Sequence, residues 1–397
     1  MKTSVKTILF ATVLVAGTAT AVSLLPHQEA VKPIAQPVQL PVATKPKIEV
    51  VFVLDTTGSM GGLIDAAKNN IWSIATTMAS AQPAPEMHMG LVAFRDRGDE
   101  YVTRVLNLSR DLDSMYASLM DFRADGGGDG PESVNVALDA AVNQIQWSQD
   151  SNSYKVIFLV GDAPPHMDYQ GEKQYPAILK EAAAKGIVVN CIQAGEESDT
   201  RKTWQHIASL NQGRYLQVEQ SGSAVAVNTP FDDKLAQLAK ELDDTRLFYG
   251  DADKRAELRQ KEAAAEKVHA ASPAAVQAKR AAFNASGAGA GNFLADSELV
   301  DAVSSGKVTL ESIDKQELPA PLQAMPVMEQ KAVIAEKAKK RAELKAEIAR
   351  LDAQRQDYIK EKVSAEKVAS SLDGQLFETV RTQAKDKGLD YKTVPTL

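Results

Sequence analysis

At 397 residues and 44% apolar content, the chain is long enough for one large packed core plus a second region. A formal net charge of −7 leaves no basic footprint, which argues against nucleic acid as a partner. The lone cysteine, Cys191, lies in the run Ile187-Val188-Val189-Asn190-Cys191-Ile192; it excludes an internal disulfide or a cysteine-based zinc site and reads as a small buried hydrophobe.

The N-terminus carries Lys2 and Lys6, a nearly unbroken apolar stretch from Ile8 to Ala16, and then Ala19-Thr20-Ala21. That order is a secretory signal pattern, so residues 1–21 are expected to be a signal peptide cleaved near Ala21. The uncharged stretch runs on to Leu25, which keeps an uncleaved membrane anchor as the alternative. No Cys follows the cleavage site, so lipid anchoring there is excluded. The expected location is a bacterial cell envelope, periplasmic or inner-membrane-anchored and facing the periplasm, with secretion a weaker option. Residues 22–47, rich in Pro, Gln, Val and Lys, read as an extended linker.

Beyond residue 47, apolar strand signals fall at 48–54, 87–94, 101–106, 154–160, 187–192 and 214–218. Helical patterns fall at 62–79, 112–122, 132–147, 174–185 and 202–210. This alternation predicts an α/β fold, a doubly wound and mostly parallel sheet covered on both faces. The second and third strands follow too closely for a crossover helix, so they should form a hairpin with one antiparallel edge strand. An amphipathic helix at 231–242 is expected to close a domain spanning 48–250. From 251 to 397 the chain turns to Ala, Lys, Glu, Arg and Gln and reads as a helical, charged C-terminal region. Within it, 331–367 looks like one long helix with Ile334, Leu344, Ile348, Leu351, Tyr358 and Ile359 on a sparse apolar face. Arg341 and Arg355 stand at expected apolar heptad positions, which argues against a strict coiled coil.

Three separated segments carry the chemistry. The first strand ends in Asp55-Thr56-Thr57-Gly58-Ser59, placing a carboxylate and hydroxyls at the carboxyl end of a strand, where open α/β sheets hold ligands. The second is Asp125-Gly126-Gly127-Gly128-Asp129-Gly130-Pro131-Glu132-Ser133, before a helix; the third is Val160-Gly161-Asp162-Ala163, closing a strong strand. Hard oxygen donors of this kind suit a small divalent cation. Helix capping by Asp55 and Ser59 is the bland alternative for the first segment alone.

In these residues the sequence resembles the von Willebrand factor type A (vWA) domain. Asp55, Thr57 and Ser59 match the first element of that family's metal-ion-dependent adhesion site, with Thr for the first Ser, and Asp162 matches its final Asp. The family's distant Thr has no counterpart here; Asp129, Glu132 and Ser133 occupy that loop. The form Phe94-Arg95-Asp96 together with 126–132 looks like the subgroup found in hemicentin-like proteins and beside alpha-kinases. The resemblance implies a metal site built from Asp55, Thr57, Ser59, Asp129, Glu132 and Asp162, holding Mg²⁺ or Mn²⁺. Thr57 and Ser59 would contact the ion directly, Asp55 and Asp162 through water, and a protein partner would fill the open position with an acidic side chain. It implies a binding protein acting in metal-dependent protein–protein interaction, not an enzyme.

Two rival readings keep the same residues. A haloacid-dehalogenase-like phosphatase would use Asp55 as nucleophile and Gly161-Asp162 at Mg²⁺, but Thr57 stands where such enzymes place an acid. A structural vWA module with a degenerate site is the other. His166 is expected on the rim of the site, while His88 and His206 read as structural. Arg97-Gly98-Asp99 spells an integrin-recognised tripeptide in a turn and is read as coincidence.

Overall fold

The computed structural model describes residues 45–391 apart from 129, 222–226, 365–366 and 369–370, so the expected signal segment and nearly all of the linker lie outside the described residues. Among the described residues, no helix is long and apolar enough to cross a membrane.

The apolar runs form one six-stranded sheet: β1 (Lys47–Asp55), β2 (Glu86–Phe94), β3 (Thr103–Ser109), β4 (Tyr154–Gly161), β5 (Ile187–Ala194) and β6 (Tyr215–Val218), in the order β3-β2-β1-β4-β5-β6. All neighbours are parallel except β2 and β3, as the short connection between them requires. Every residue of β4 is buried, which fits its unbroken apolar run between two covered faces. The strand order reverses between β1 and β4, so their carboxyl ends open a crevice at the switch point.

Helices α3 (Val134–Asn143), α4 (Tyr175–Ala184) and α5 (Ser198–Leu210) bury one face. Their Leu138, Ile178 and Trp204 meet Val51, Val53, Ile157 and Val189 of the strands. Helix α3 ends before Ile145 and Trp147, so it is shorter than the 132–147 pattern. On the opposite face, α1 (Gly61–Ala79) and α2 (Leu112–Leu119) cover Ile48, Val50, Leu54 and Phe158.

The helices that follow β6 are α6 (Asp232–Asp243), α7 (Ala252–Ala271), α8 (Ala274–Ala285), α9 (Ala290–Leu294), α10 (Leu299–Ser304), α11 (Ala320–Gln323), α12 (Val327–Lys362) and α13 (Leu372–Gln383). Helix α6 forms where the 231–242 pattern predicts, and its apolar face meets C-terminal helices. Leu235, Leu238 and Leu242 of α6 pack on Ala278 and Ala281 of α8 and on Leu344, Ile348 and Leu351 of α12. The covering helix beside α1 is α13, whose Leu372, Leu376, Phe377 and Val380 join Val156, Phe158, Val160 and Ile192 in one core. Amphipathicity fixes that a helix is buried on one side and leaves its partner open, and the partner here comes from the far end of the chain.

Polar contacts lock α13 in place. Tyr154 donates to Gln383 Oε1 at 2.7 Å, and Gln383 Nε2 donates to Asn190 Oδ1 at 2.8 Å. The backbone of Asp390 then pairs with Gln82 in both directions, at 2.8 and 3.0 Å. Between the sheet and α1, α2 and α13 remains an apolar void of about 40 Å³, lined by Phe52, Ile71, Met115 and Leu376. It is a core packing gap, far below the several hundred Å³ of ligand sites.

The two arginines that break the heptad pattern of α12 are buried ion-pair partners. Arg341 reaches both Glu298 oxygens at 2.8 Å and the Thr245 carbonyl at 2.9 Å, and Arg355 Nε donates to Asp232 Oδ1 at 2.9 Å. Leu344, Ile348 and Leu351 of the α12 stripe thus pack on α6 and α8, and Ile334 on Leu299, Val300 and Leu322.

Candidate metal centre

Asp55 is the last residue of β1 and Asp162 directly follows β4, so the two inner parallel strands aim both carboxylates at the crevice. Asp55 is 1% exposed. Its Oδ1 accepts from the Thr57 backbone N–H at 2.8 Å and from Thr57 Oγ1 at 2.7 Å. Because the Thr57 hydroxyl gives its proton to Asp55, its oxygen lone pairs are left for another partner. Ser59 Oγ stands 3.5 Å from Thr57 Oγ1 and is exposed, at the mouth.

Close approach of the two strand ends requires glycine at Gly161. A Cβ there would lie 3.0 Å from Asp55 Cβ and 3.1 Å from both Asp55 Oδ2 and Trp204. The loop from Asp125 is tied down by Asp125 N–H to the Thr56 carbonyl at 3.1 Å and by Gly58 N–H to the Gly126 carbonyl at 3.0 Å. Gly127 has φ +75° and passes so near Thr57 that a Cβ would be 3.1 Å from the Thr57 Cβ.

Glu132 is 4% exposed, held by its backbone N–H to the Pro164 carbonyl at 2.9 Å and by His166 N–H to its own carbonyl at 3.0 Å. Its Oε2 is buried without a hydrogen-bond partner among the described residues. Burial, with repulsion from Asp55, Asp96, Asp162 and Asp99, pushes the Glu132 pKa up to about 9. Burial likewise pushes Asp55 up to about 7, against the Thr57 hydrogen bonds and with added repulsion from Asp162. A cation beside Asp55 and Glu132 would relieve this repulsion.

A hard divalent cation fits the donor set. Thr57 and Ser59 offer hydroxyl oxygens, and the carboxylates of Asp55, Asp162 and Glu132 surround them. Among the described residues, no three His, Cys, Asp or Glu side chains are grouped to chelate an ion by themselves. A cation here would draw on hydroxyls and water as well as carboxylate. Asp129 lies outside the described residues. Ser133, in the same loop, turns away and donates to Asp96 Oδ1 at 2.7 Å.

Around the centre runs a network that sequence reasoning resolved only in part. Burial raises the Asp96 pKa, but Ser133, the Arg97 backbone and the Tyr169 hydroxyl donate to it and hold it below the ordinary value. His166 is 5% exposed rather than on the rim; it stacks on Tyr169 at 3.9 Å and pairs through Nδ1 with Asp168 at 2.9 Å. Arg97 lies over the Tyr169 ring at 3.9 Å and pairs with Glu172, while Asp99 Oδ2 accepts from the Asp96 and Gly127 backbone. The charged ends of the Arg97-Gly98-Asp99 tripeptide are therefore engaged within the chain. His88 pairs with Glu86 at 2.6 Å and His206 with the Tyr175 hydroxyl at 2.9 Å, both structural contacts.

Gln220, which no sequence signal singled out, donates through Nε2 to Asp162 Oδ2 at 2.8 Å and to the Ser59 carbonyl at 3.2 Å. The Asp162 carbonyl accepts from Thr200 Oγ1 at 2.9 Å, fixing the backbone at the strand end.

A mostly parallel sheet flanked by helices, with an oxygen-lined crevice at its switch point, defines an open, doubly wound α/β domain. Residues 49–230 match the von Willebrand factor A domain family, so this part of the chain is a vWA domain. It is 36% identical over 120 residues to von Willebrand factor A domain-containing protein 7 of Homo sapiens, covering 30% of this chain and 12% of that protein. It is 27% identical over 121 residues to alpha-protein kinase vwkA of Dictyostelium discoideum, covering 30% of this chain and 19% of that one. The chain thus spans under a fifth of the length of these curated relatives. Among solved structures, the SpRpn10 VWA domain is similar at 14% identity and a TM-score of 0.34, over 45% of this chain and 89% of that one.

Proposed function

We propose that this protein is a metal-dependent protein-recognition module. The vWA domain itself points to protein–protein interaction. The metal dependence rests on one observation: the Thr57 hydroxyl is committed as donor to Asp55, beside Ser59 and a buried, unpartnered Glu132 oxygen. In this reading Thr57 and Ser59 hold Mg²⁺ or Mn²⁺ directly, Asp55 and Asp162 act through bound water, and Glu132 replaces the family's Thr. The bound ion supplies an electrophilic open position, and an acidic side chain of a protein partner fills it. In this reading the centre binds a partner and does not catalyse a reaction. The signal-like pattern of residues 1–21 supports a location outside the cytoplasm, in a bacterial envelope, with cleavage near Ala21 or retention as an anchor.

Affinity capture from envelope extract, run in Mg²⁺ and in EDTA with wild type and Asp55→Ala, tests the reading. A partner held only in Mg²⁺ and lost with Asp55→Ala is the expected result. Capture indifferent to both changes removes the metal from the account. Turnover of p-nitrophenyl phosphate abolished by Asp55→Asn would replace it with a hydrolase.

A further inference from the structure

We infer that Gln220 is a positioning residue of the metal centre; the inference rests on the metal-binding reading above. Gln220 follows β6, outside the three motif segments around Asp55, Asp129 and Asp162. Its side-chain amide nevertheless bridges the two loops that frame the site, donating one N–H to Asp162 Oδ2 at 2.8 Å and one to the Ser59 carbonyl at 3.2 Å.

Gln220 Oε1 lies in a notch over Gly195, at the end of β5, where a Cβ would stand 2.5 Å from it. The backbone at Gln220 and Ser221 rests on the start of α1, where a Cβ on Gly62 would be 3.2 Å from the Gln220 carbonyl and 3.0 Å from Ser221 Cα. Gly195 N–H to the Val218 carbonyl, 3.0 Å, and Gln217 Nε2 to the Gly195 carbonyl, 2.8 Å, hold β6 and this segment against β5. One exposed glutamine thus joins the Asp162 carboxylate, at the end of β4, to the Ser59 carbonyl in the turn after β1.

Holding a flexible exposed side chain in one orientation costs conformational entropy. The arrangement has a chemical consequence at the site. With Oδ2 of Asp162 taken by the amide, the carboxylate is held in one orientation and its other oxygen is left to accept from water on the cation. With the Ser59 carbonyl also held, the Ser59 hydroxyl stays beside that of Thr57. Neutral N–H donors do this without adding a positive charge that would repel the ion. Outer partners of this kind typically contribute tenfold or more in metal affinity.

The test is a calorimetric titration of Mg²⁺ into the full chain for wild type, Gln220→Met and Gly195→Ala. Methionine keeps the length and removes the N–H donors; the alanine displaces the Gln220 amide from a position that touches neither Asp162 nor Ser59. Both variants are expected to bind Mg²⁺ about tenfold more weakly. The Gln220→Met protein should keep the melting temperature of the metal-free wild type. Hydrogen exchange supplies a readout that a merely structural role would not move: Mg²⁺ should slow exchange across 217–221 in wild type and leave it unchanged in Gln220→Met. Wild-type binding with Gln220→Met within twofold of it overturns the positioning role and spares the metal reading. No binding by wild type overturns both.

Discussion

Arg280 of α8 and Asp113 of α2 form a two-pronged ion pair with no solvent exposure, Nε to Oδ1 at 2.5 Å and NH2 to Oδ2 at 2.8 Å. The same guanidinium reaches Asp243 Oδ2 at 2.8 Å, so one arginine from the C-terminal helices neutralises two acids. Burial opposes the charge on each partner, and the opposite charges outweigh it: Asp113 and Asp243 are held below, and Arg280 above, their ordinary values. Arg280→Met should cost about 3–5 kcal/mol in urea unfolding, since it strands buried carboxylates. A loss below about 1 kcal/mol would mean that water reaches the pair.

The C-terminal helix α13 is part of the same core as β4 and β5. Leu376 is 2% exposed, and Leu376→Ala should destabilise the whole protein by about 2–5 kcal/mol. One cooperative transition shifted to lower urea is expected. A transition that leaves the sheet unaffected would show α13 to be an appendage.

At Gly161 a methyl group would meet Asp55 and Trp204, both buried and unable to yield. Gly161→Ala is expected to cost about 1–3 kcal/mol of stability. It should also weaken Mg²⁺ binding, because the side chain displaced is Asp55. Denaturation and metal titration on the same variant separate the two effects.

Asp373 of α13 is fully buried; burial pushes its carboxyl up to about 6, with Lys279 pulling the other way. The folded state then holds this proton more tightly than the unfolded chain, so between about pH 4 and 6 its contribution makes stability fall as pH rises. That limb amounts to at most about 3 kcal/mol. It should vanish in Asp373→Asn, as read by urea midpoints across the pH range. An unchanged slope would place the titration elsewhere.

The strands and the two strand-end aspartates were legible because a parallel sheet buried on both faces writes long apolar runs, and Asp55 and Asp162 interrupt two of them. The hairpin of β2 and β3 followed from connection length. Pairings between distant helices were not legible. The stripe of α6 reads the same whether it meets a sheet or α12, and Arg341 and Arg355 look like errors until Glu298 and Asp232 arrive from elsewhere in the chain. Glu132 and Ser133 are adjacent in a loop, and only the folded chain brings a Glu132 oxygen beside Gly127 and Thr57 while Ser133 donates to Asp96. Gln220 carried no signal, since a single amide after a strand has no motif.

The central claim is that Thr57 contributes a metal-binding oxygen. Thr57→Val keeps the shape of a side chain that is 1% exposed and removes only its hydroxyl. Isothermal titration of Mg²⁺ into the full chain should give saturable one-site binding for wild type and none for Thr57→Val, with both proteins folded. Equal binding by the two, or no heat from wild type, would contradict the account.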